Sequence, residues 1–278
     1  MIFSPNRSHF GGSCAASTLA RLRDCIGRIE TCHGGEMPGR AALGHEEADA
    51  ALQGGLARGA VHEVFAEGRH SAAATGFIAG LAQRLGKDRP LLWVRQDFAA
   101  RETGALSMRG WRELGLDPRR LVMVHTSDVE SALRTAADAL ACDALSAVVM
   151  EIWGETRLFD LVASRRLTLA ARDSGVTGLL LRVAATPLPS TAETRWIVRP
   201  ARSPPVAAWQ AWGSPVLETR LVRNRHGQTG QWIMEWMCDE CLFRDVSCHS
   251  PKTHPQPVAA APADRPHPAQ VVPLRRAG

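Results

Sequence analysis

From about residue 60 the chain alternates between two hydrophobic rhythms. Short runs in which nearly every position is apolar occur at 60–66, Leu91–Arg95, Leu121–Thr126, Ser146–Ile152 and Thr177–Ala184. They are rich in Val and Leu and predict strands buried on both faces of a sheet. In the stretches between them, apolar residues recur every three or four positions. Over 71–86, Ala74, Phe77, Ile78, Leu81 and Leu85 stack into one helical stripe. Ser127-Asp128-Val129-Glu130 reads as a capping-box start for a helix reaching about Leu140. Leu158, Leu161 and Val162 mark a further helix over 156–173, closed by Gly175. Strand–helix alternation at this spacing implies right-handed crossovers and a parallel sheet, hence an α/β fold.

The pattern differs at the two ends. Residues 14–32 predict a helix with Leu19, Leu22 and Ile26 on one side, followed by the Gly/Pro linker Gly34–Gly39. Beyond 185, Pro187, Pro189, Pro200, Pro204, Pro205 and Pro215 interrupt the chain, and the period falls to two in Arg195–Arg199, Pro215–Asn224 and Gly230–Met237. These predict antiparallel strands extending the sheet from about 190, with a hairpin turn at His226–Gly230. Residues 251–278 hold seven prolines and no periodicity, the composition of a disordered tail. The expected organisation is an N-terminal helix and linker over 1–50, a core over 51–248 and a proline-rich tail over 249–278.

Composition narrows the function classes. No apolar run approaches the roughly 18 residues that would span a bilayer, and Met1–Phe10 lacks an apolar signal core. Seven cysteines, odd in number and irregularly spaced, do not form a disulfide framework. A cytoplasmic protein with reduced thiols and no membrane contact is expected. The net charge is +5, and residues 195–225 alone account for it, with six arginines against Glu218. Five of the eight tryptophans lie between Trp196 and Trp236. Arginine beside tryptophan suits a nucleic acid or a protein interface, which makes Arg199, Arg202, Trp209, Trp212, Arg220, Arg223 and Arg225 candidate contacts to a partner or DNA. The alternative is an arginine-rich sheet edge that resists edge pairing, with Trp232 and Trp236 packed on the sheet. Cys238-x-x-Cys241 has the form of a zinc half-site, but its second half, Cys248 beside His249, is poor. These cysteines are weak metal candidates, and no metal is expected.

The segment Gly68-Arg69-His70-Ser71-Ala72-Ala73-Ala74-Thr75 lies between a strand and a helix, where a phosphate-binding loop belongs. That loop reads G-x-x-x-x-G-K-[ST]. Here Ala73 stands for the second glycine and Ala74 for the lysine; Thr75 alone fits. A helix N-terminus remains to face an anion, and Arg69 or His70 can supply positive charge, so Gly68, Arg69, His70, Ser71 and Thr75 outline a remnant nucleotide pocket.

The order of segments resembles the RecA family. Gly54-Gly55-Leu56 and Gly59 lead into a strand ending Glu63-Val64-Phe65. Leu91–Val94 precedes Gln96-Asp97, Gly115-Leu116-Asp117 precedes the strand Leu121–His125, and Ala147-Val148-Val149-Met150-Glu151 resembles a Walker B strand. A closer resemblance is to the ImuA family. It is carried by Gly59-Ala60-Val61-His62-Glu63-Val64, Ala72-Ala73-Ala74-Thr75-Gly76-Phe77 and Gly230-Gln231-Trp232-Ile233-Met234-Glu235-Trp236, and it covers roughly 50–245.

The resemblance implies a RecA-like P-loop NTPase core with a degenerate loop at 68–75. It also implies a role as an SOS-induced accessory factor of translesion DNA synthesis. The implied partners are an ImuB-like inactive Y-family polymerase homologue, an error-prone C-family DNA polymerase and RecA. By the same resemblance Thr75 and Glu151 occupy metal-holding positions, and Asp97 lies where a carboxylate activates water. The expectation is a retained scaffold that is not an enzyme and has no cofactor, with ATP and Mg²⁺ as the alternative. Two rival roles are a SulA-type cell-division inhibitor and a DNA-binding module. Leu19, Leu22 and Ile26 also suit packing on a neighbouring RecA-fold protein, and Gln270–Leu274 faintly resembles a sliding-clamp peptide.

Overall fold

Val61–Ala66 is buried at all six positions, as an apolar run must be when helices cover both faces of a sheet. The computed structural model describes residues 39–86, 88–204 and 213–246. The helix expected over 14–32, the linker before Gly39 and the stretch 251–278 lie outside the described residues. In chain order the elements are β1 (Arg40–Ala41), α1 (Glu46–Ala51), β2 (Leu56–Ala57), β3 (Val61–Ala66), α2 (Ser71–Leu85), β4 (Leu91–Gln96), α3 (Asp97–Thr103), α4 (Met108–Glu113) and β5 (Leu121–Thr126). They continue with α5 (Val129–Leu140), β6 (Ala147–Trp153), α6 (Leu161–Ser174), β7 (Thr177–Val183), β8 (Thr194–Pro200), β9 (Val216–Asn224), β10 (Gly230–Met237) and β11 (Leu242–Asp245).

Among the described residues nine strands form one sheet in the order β11-β10-β9-β8-β3-β7-β6-β4-β5, and β1 and β2 pair antiparallel in a separate ladder. Two apolar layers clothe the sheet. On one face Phe77, Ile78 and Leu81 of α2 pack with Trp93, Leu179, Leu181, Trp196 and Phe243. On the other, Ala132 and Ala136 of α5 and Leu167 and Ala171 of α6 pack with Val94, Val148, Met150 and Leu180. Glycine is required where α2 crosses the β10–β11 hairpin: a Cβ on Gly80 would stand 2.6 Å from Phe243 Cζ and 2.9 Å from Trp236 Cζ3. Gly175 closes α6 in the left-handed conformation, φ 76°.

The structure corrects four expectations. β8 runs parallel to β3 and antiparallel to β9, so the antiparallel extension starts at Val216, not near 190. The edge strand β5 is only partly buried, with Val122 and His125 exposed. α5 is capped by Asp128, whose carboxylate accepts from Ser131 N at 2.7 Å, one position later than a capping box on Ser127 requires. α6 starts at Leu161 behind the cap Asp160 and buries Ser164, Leu167 and Ala171, leaving Leu158, Leu161 and Val162 in solvent. In the last case apolar spacing finds the helix but selects the wrong face.

Polar pairs fix the β3–β8 seam on both sides of the sheet. On the α2 side Trp196 Nε1 donates to Thr194 Oγ1 at 3.0 Å, and Thr194 Oγ1 meets His62 Nδ1 at 2.8 Å. His62 Nε2 lies 2.8 Å from the Ala57 carbonyl, which can only accept, so Nε2 carries the proton and Nδ1 accepts from Thr194. On the other side Arg195 Nε sits 2.7 Å from Glu63 Oε2.

This packing sets the response to pH and to small substitutions. Burial depresses the His62 pKa from 6.5 to about 4, opposed by its bond to Ala57 and reinforced by Arg40. As pH falls the unfolded chain takes up this proton first, so the stability held above the unfolded pKa is lost on the way down to the folded one. From about pH 7 to pH 5 the loss is expected to be about 2 kcal/mol. Urea midpoints should show it in the native chain and much less of it in His62→Gln; an unchanged slope in the variant would assign the loss to other groups. Separately, Gly80→Ala should destabilise by about 1–3 kcal/mol through overpacking. Gly76, with nothing within 4 Å of an added Cβ, should gain about 0.5–1 kcal/mol as Ala through helix propensity. Denaturant titration of the two variants tests the opposite signs.

Candidate functional site

The strand-to-helix connection where a phosphate loop would lie is short. β3 ends at Ala66, Glu67 follows, Gly68–His70 forms a 3-10 turn, and α2 begins at Ser71. The turn consumes amides that a phosphate cradle would leave free. His70 N donates to Glu67 O at 2.8 Å, and Ser71 N donates to Gly68 O. Of the orphan donors that open a helix, those of Ala72 and Ala73 remain, whereas an anion nest uses a longer run of convergent N–H groups. Arg69 pairs with Glu67 at 2.7 Å, and Arg199 reaches the same carboxylate at 3.0 Å. His70 Nδ1 is buried without a partner. An added Cβ on Gly68 would approach Trp153 to 3.3 Å.

Ser71 and Thr75 line a cavity of about 1010 Å³ between α2, α4, the segment Thr103–Ser107 and Gly213–Pro215. Arg95 and Trp111 share its wall. Arg95 is almost wholly buried and spends its donors locally: Nη1 on Gly104 O at 2.7 Å, Nη2 on Thr103 Oγ1 and at 3.5 Å on Ala99 O. Its Nε lies 3.0 Å from Glu151 Oε2. The same oxygen accepts from Trp93 Nε1 at 3.0 Å. Burial pushes the Glu151 carboxyl above its ordinary pKa, while Arg95 and Trp93 pull it back. Glu151 is therefore the buried anchor of a cation on the cavity wall.

Asp97 opens α3 and faces His125 Nδ1 at 3.6 Å, half exposed. The fold thus gathers Ser71 and Thr75 with Arg95, holds Glu151 against Arg95, leaves Gly68, Arg69 and His70 in the turn, and turns Asp97 toward β5. Sequence reasoning misses Arg95 and Trp93. The signal is present: a charge inside an apolar strand demands a buried partner.

The arginine-rich segment is divided by the fold. Arg199 and Arg220 lie on the sheet face away from α2, Arg199 facing Glu218 in the β8–β9 register. Arg223 donates to Ser190 O at 2.7 Å, and Arg202 and Arg225 are exposed beyond the strand ends. Trp209, Trp212 and Cys248 lie outside the described residues. Trp236 is in the core and Trp232 packs against it.

The cysteines latch the β10–β11 turn to α4. Cys241 Sγ donates to Gly115 O at 3.3 Å, and Trp236 Nε1 donates to Leu114 O at 2.9 Å. Gly115 has φ 81°, and a Cβ there would stand 2.0 Å from the Cys238 carbonyl oxygen. Burial raises the Cys238 thiol pKa. Among the described residues no three His, Cys, Asp or Glu side chains cluster to hold a metal ion, and no helix is long and apolar enough to cross a membrane.

Removing the cation of the Arg95–Glu151 pair leaves a buried carboxylate without its partner. Arg95→Met is expected to cost about 3–5 kcal/mol, and Arg95→Met combined with Glu151→Met should recover most of that loss. A urea double-mutant cycle measures both. A loss in the double variant equal to the sum of the two single-variant losses would show that the pair is not coupled.

No protein-family model matches the chain. Protein ImuA of Caulobacter vibrioides strain NA1000 / CB15N is 31% identical over 199 residues, which cover 66% of this chain and 77% of the Caulobacter protein. Protein ImuA of strain ATCC 19089 / CIP 103742 / CB 15 matches with the same figures. Identity of this extent over most of the relative's length reflects common descent: the chain belongs to the ImuA family.

Proposed function

We propose that this chain acts in the cytoplasm as a non-catalytic accessory factor of error-prone translesion DNA synthesis. Membership of the ImuA family supports the setting. In this reading the chain recruits an ImuB-like inactive Y-family polymerase homologue and an error-prone C-family DNA polymerase to damaged DNA, with RecA as a further contact. Its RecA-like core supplies interfaces in place of a nucleotide cycle.

The observation that carries the non-catalytic half is the head of α2. Ala74 stands where a lysine would pair with phosphates. The helix starts three residues after Gly68, which leaves few free amides. Glu151, at the Walker B acidic position of the resemblance, is held by Arg95 and Trp93. Phosphoryl transfer depends on positioned cationic and metal groups around the phosphates, and each of these features works against that. A nucleotide-gated reading draws on the open cavity beside Ser71 and Thr75.

The deciding experiment is a pull-down of the purified chain against the cognate ImuB-like protein, the C-family polymerase and RecA, with and without Mg-ATP. Capture should change by less than about twofold with ATP, a coupling below about 0.4 kcal/mol. Capture only with ATP would replace the scaffold by a nucleotide switch. Failure to capture any of the three would overturn the translesion assignment and favour a division inhibitor or a DNA-binding module.

A further inference from the structure

The outward face of α6 carries apolar side chains that the fold does not use. Ser164, Leu167 and Ala171 form its inner side. Val162, 71% exposed, and Leu169, 47% exposed, stand seven residues apart, two turns along one outward stripe. Leu161, 54% exposed, adjoins them at the first turn, and Leu158 precedes it in the loop from β6. Leu188 flanks the helix from the loop after β7. That loop is tied to α6 by Thr191 N on Ser164 Oγ at 2.9 Å and by Thr191 Oγ1 beside Thr168 Oγ1 at 2.7 Å. Of the nine exposed large apolar side chains among the described residues, five lie on this helix and its two adjoining loops. Such a concentration marks an interaction surface.

Charge says what covers it. Arg157, Arg165, Arg166 and Arg172 are exposed around the stripe, and among the described residues none of them is in an ion pair. The acids nearby are mostly committed. Asp160 caps the helix through Ala163 N at 2.8 Å, and Glu155 accepts from both Thr186 N and Thr186 Oγ1 at 2.7 Å. Asp173 alone faces outward on α6. The complement is an acidic segment with aliphatic residues at helical spacing. The stripe offers no aromatic side chain for stacking on bases, so its apolar part is unsuited to nucleic acid. The chain's own ends are the wrong sign: residues 1–38 carry four arginines against three acids, and 247–278 carry four basic residues against one acid. A second copy meeting the first through this face would set arginine against arginine.

We propose that the outward face of α6, flanked by Leu158 and Leu188, is a docking site for an acidic amphipathic helix of a partner protein. Val162 and Leu169 desolvate against the partner's aliphatic stripe, and Arg165, Arg166 and Arg172 pair with the acids beside it. The surface is distinct from the cavity at the head of α2, and the proposal stands whether or not that cavity holds nucleotide.

The test uses fluorescence anisotropy on the full chain with a labelled helical peptide of about three heptads, Leu at a and d and Glu at the flanking positions. Controls are the same peptide with Lys for Glu, and a single-stranded oligothymidylate of about 20 nucleotides. The Glu peptide is expected to bind and the Lys peptide to bind at least about tenfold more weakly. Val162→Asp with Leu169→Asp should lower affinity for the Glu peptide at least about tenfold. Arg165→Glu with Arg166→Glu should reverse the peptide preference. All four side chains are exposed, so urea midpoints should stay near the native value and separate lost docking from lost folding. Absent or equal binding of the two peptides would overturn the proposal. So would oligonucleotide binding that fails in the arginine variant but survives in the Val162/Leu169 variant, which would assign the face to nucleic acid. Self-association abolished by the Val162/Leu169 variant would assign it to a second copy.

Discussion

The seam between β3 and β8 holds the sheet together, and its register depends on two buried polar pairs. His62 faces Thr194 and Glu63 faces Arg195. Successive residues of a strand point to opposite faces, so one pair sits in each of the two apolar layers. A slip of one residue would exchange the partners, exposing a histidine to an arginine and stranding a carboxylate. Burying the Glu63–Arg195 pair gains little over an apolar pair, but the cost of mispairing it is high, and register is where that cost acts. Phe65 adds to the arrangement, with its ring 5.5 Å from the Arg195 guanidinium and 5.9 Å from that of Arg182. Arg182 is itself buried and rests against Phe159 at 5.2 Å.

From this seam the two halves of the sheet obtain different characters. Toward β5 all pairs are parallel and helices lie on both faces; from β9 to β11 the strands are antiparallel and one face is open. β8 belongs to both regimes. It ends the parallel set by pairing with β3, and its other edge accepts β9 in the opposite direction, with a register irregularity at Arg195/Trp196. The antiparallel hairpin then folds Trp236 and Phe243 back over α2, which is possible only because Gly80 offers no side chain there. The carbonyls at the end of α4 are taken by Trp236 and Cys241. The C-terminal strands therefore shape the cavity at the head of α2, and Cys238 and Pro215 form part of its lining.

The fold class is legible in the sequence because strands buried on both faces are continuous apolar runs and the intervening helices obey their own period. The direction of β8 is not, since period-two alternation reports one-sided burial and is silent on the partner's direction. In β8 one face is apolar through Trp196 and Val198, while the other carries arginines whose acids, Glu63 and Glu67, lie on or just after β3. Those ion pairs exist only once the strands are parallel, so no local pattern announces them. The same limit explains the arginine segment. Counted along the chain it has one acid; in space Arg195 and Arg199 borrow acids from about 130 residues away. The buried face of α6 is hidden for a different reason. Leu158, Leu161 and Val162 carry the stronger apolar signal, yet the small Ser164 and Ala171 with Leu167 make the contact with the sheet.

The Arg95–Glu151 pair shows how one buried charge sets the arrangement of the groups around it. An acid inside a buried parallel strand is costly unless something neutralises it. In a metal-binding site the ion does so; here Arg95, one strand over and in register with Glu151, fills that need. Once the guanidinium is present it must be satisfied in turn, and the carbonyls of Ala99 and Gly104 with the Thr103 hydroxyl do this. That fixes the end of α3 and the segment after it, which forms one wall of the cavity. Glu151 thereby positions a loop through Arg95, and the tight 3-10 turn into α2 positions the facing wall. Residue types that resemble a catalytic signature are here joined into one closely bonded frame. Such a frame presents surfaces with little conformational freedom, which lowers the entropic cost of binding a partner.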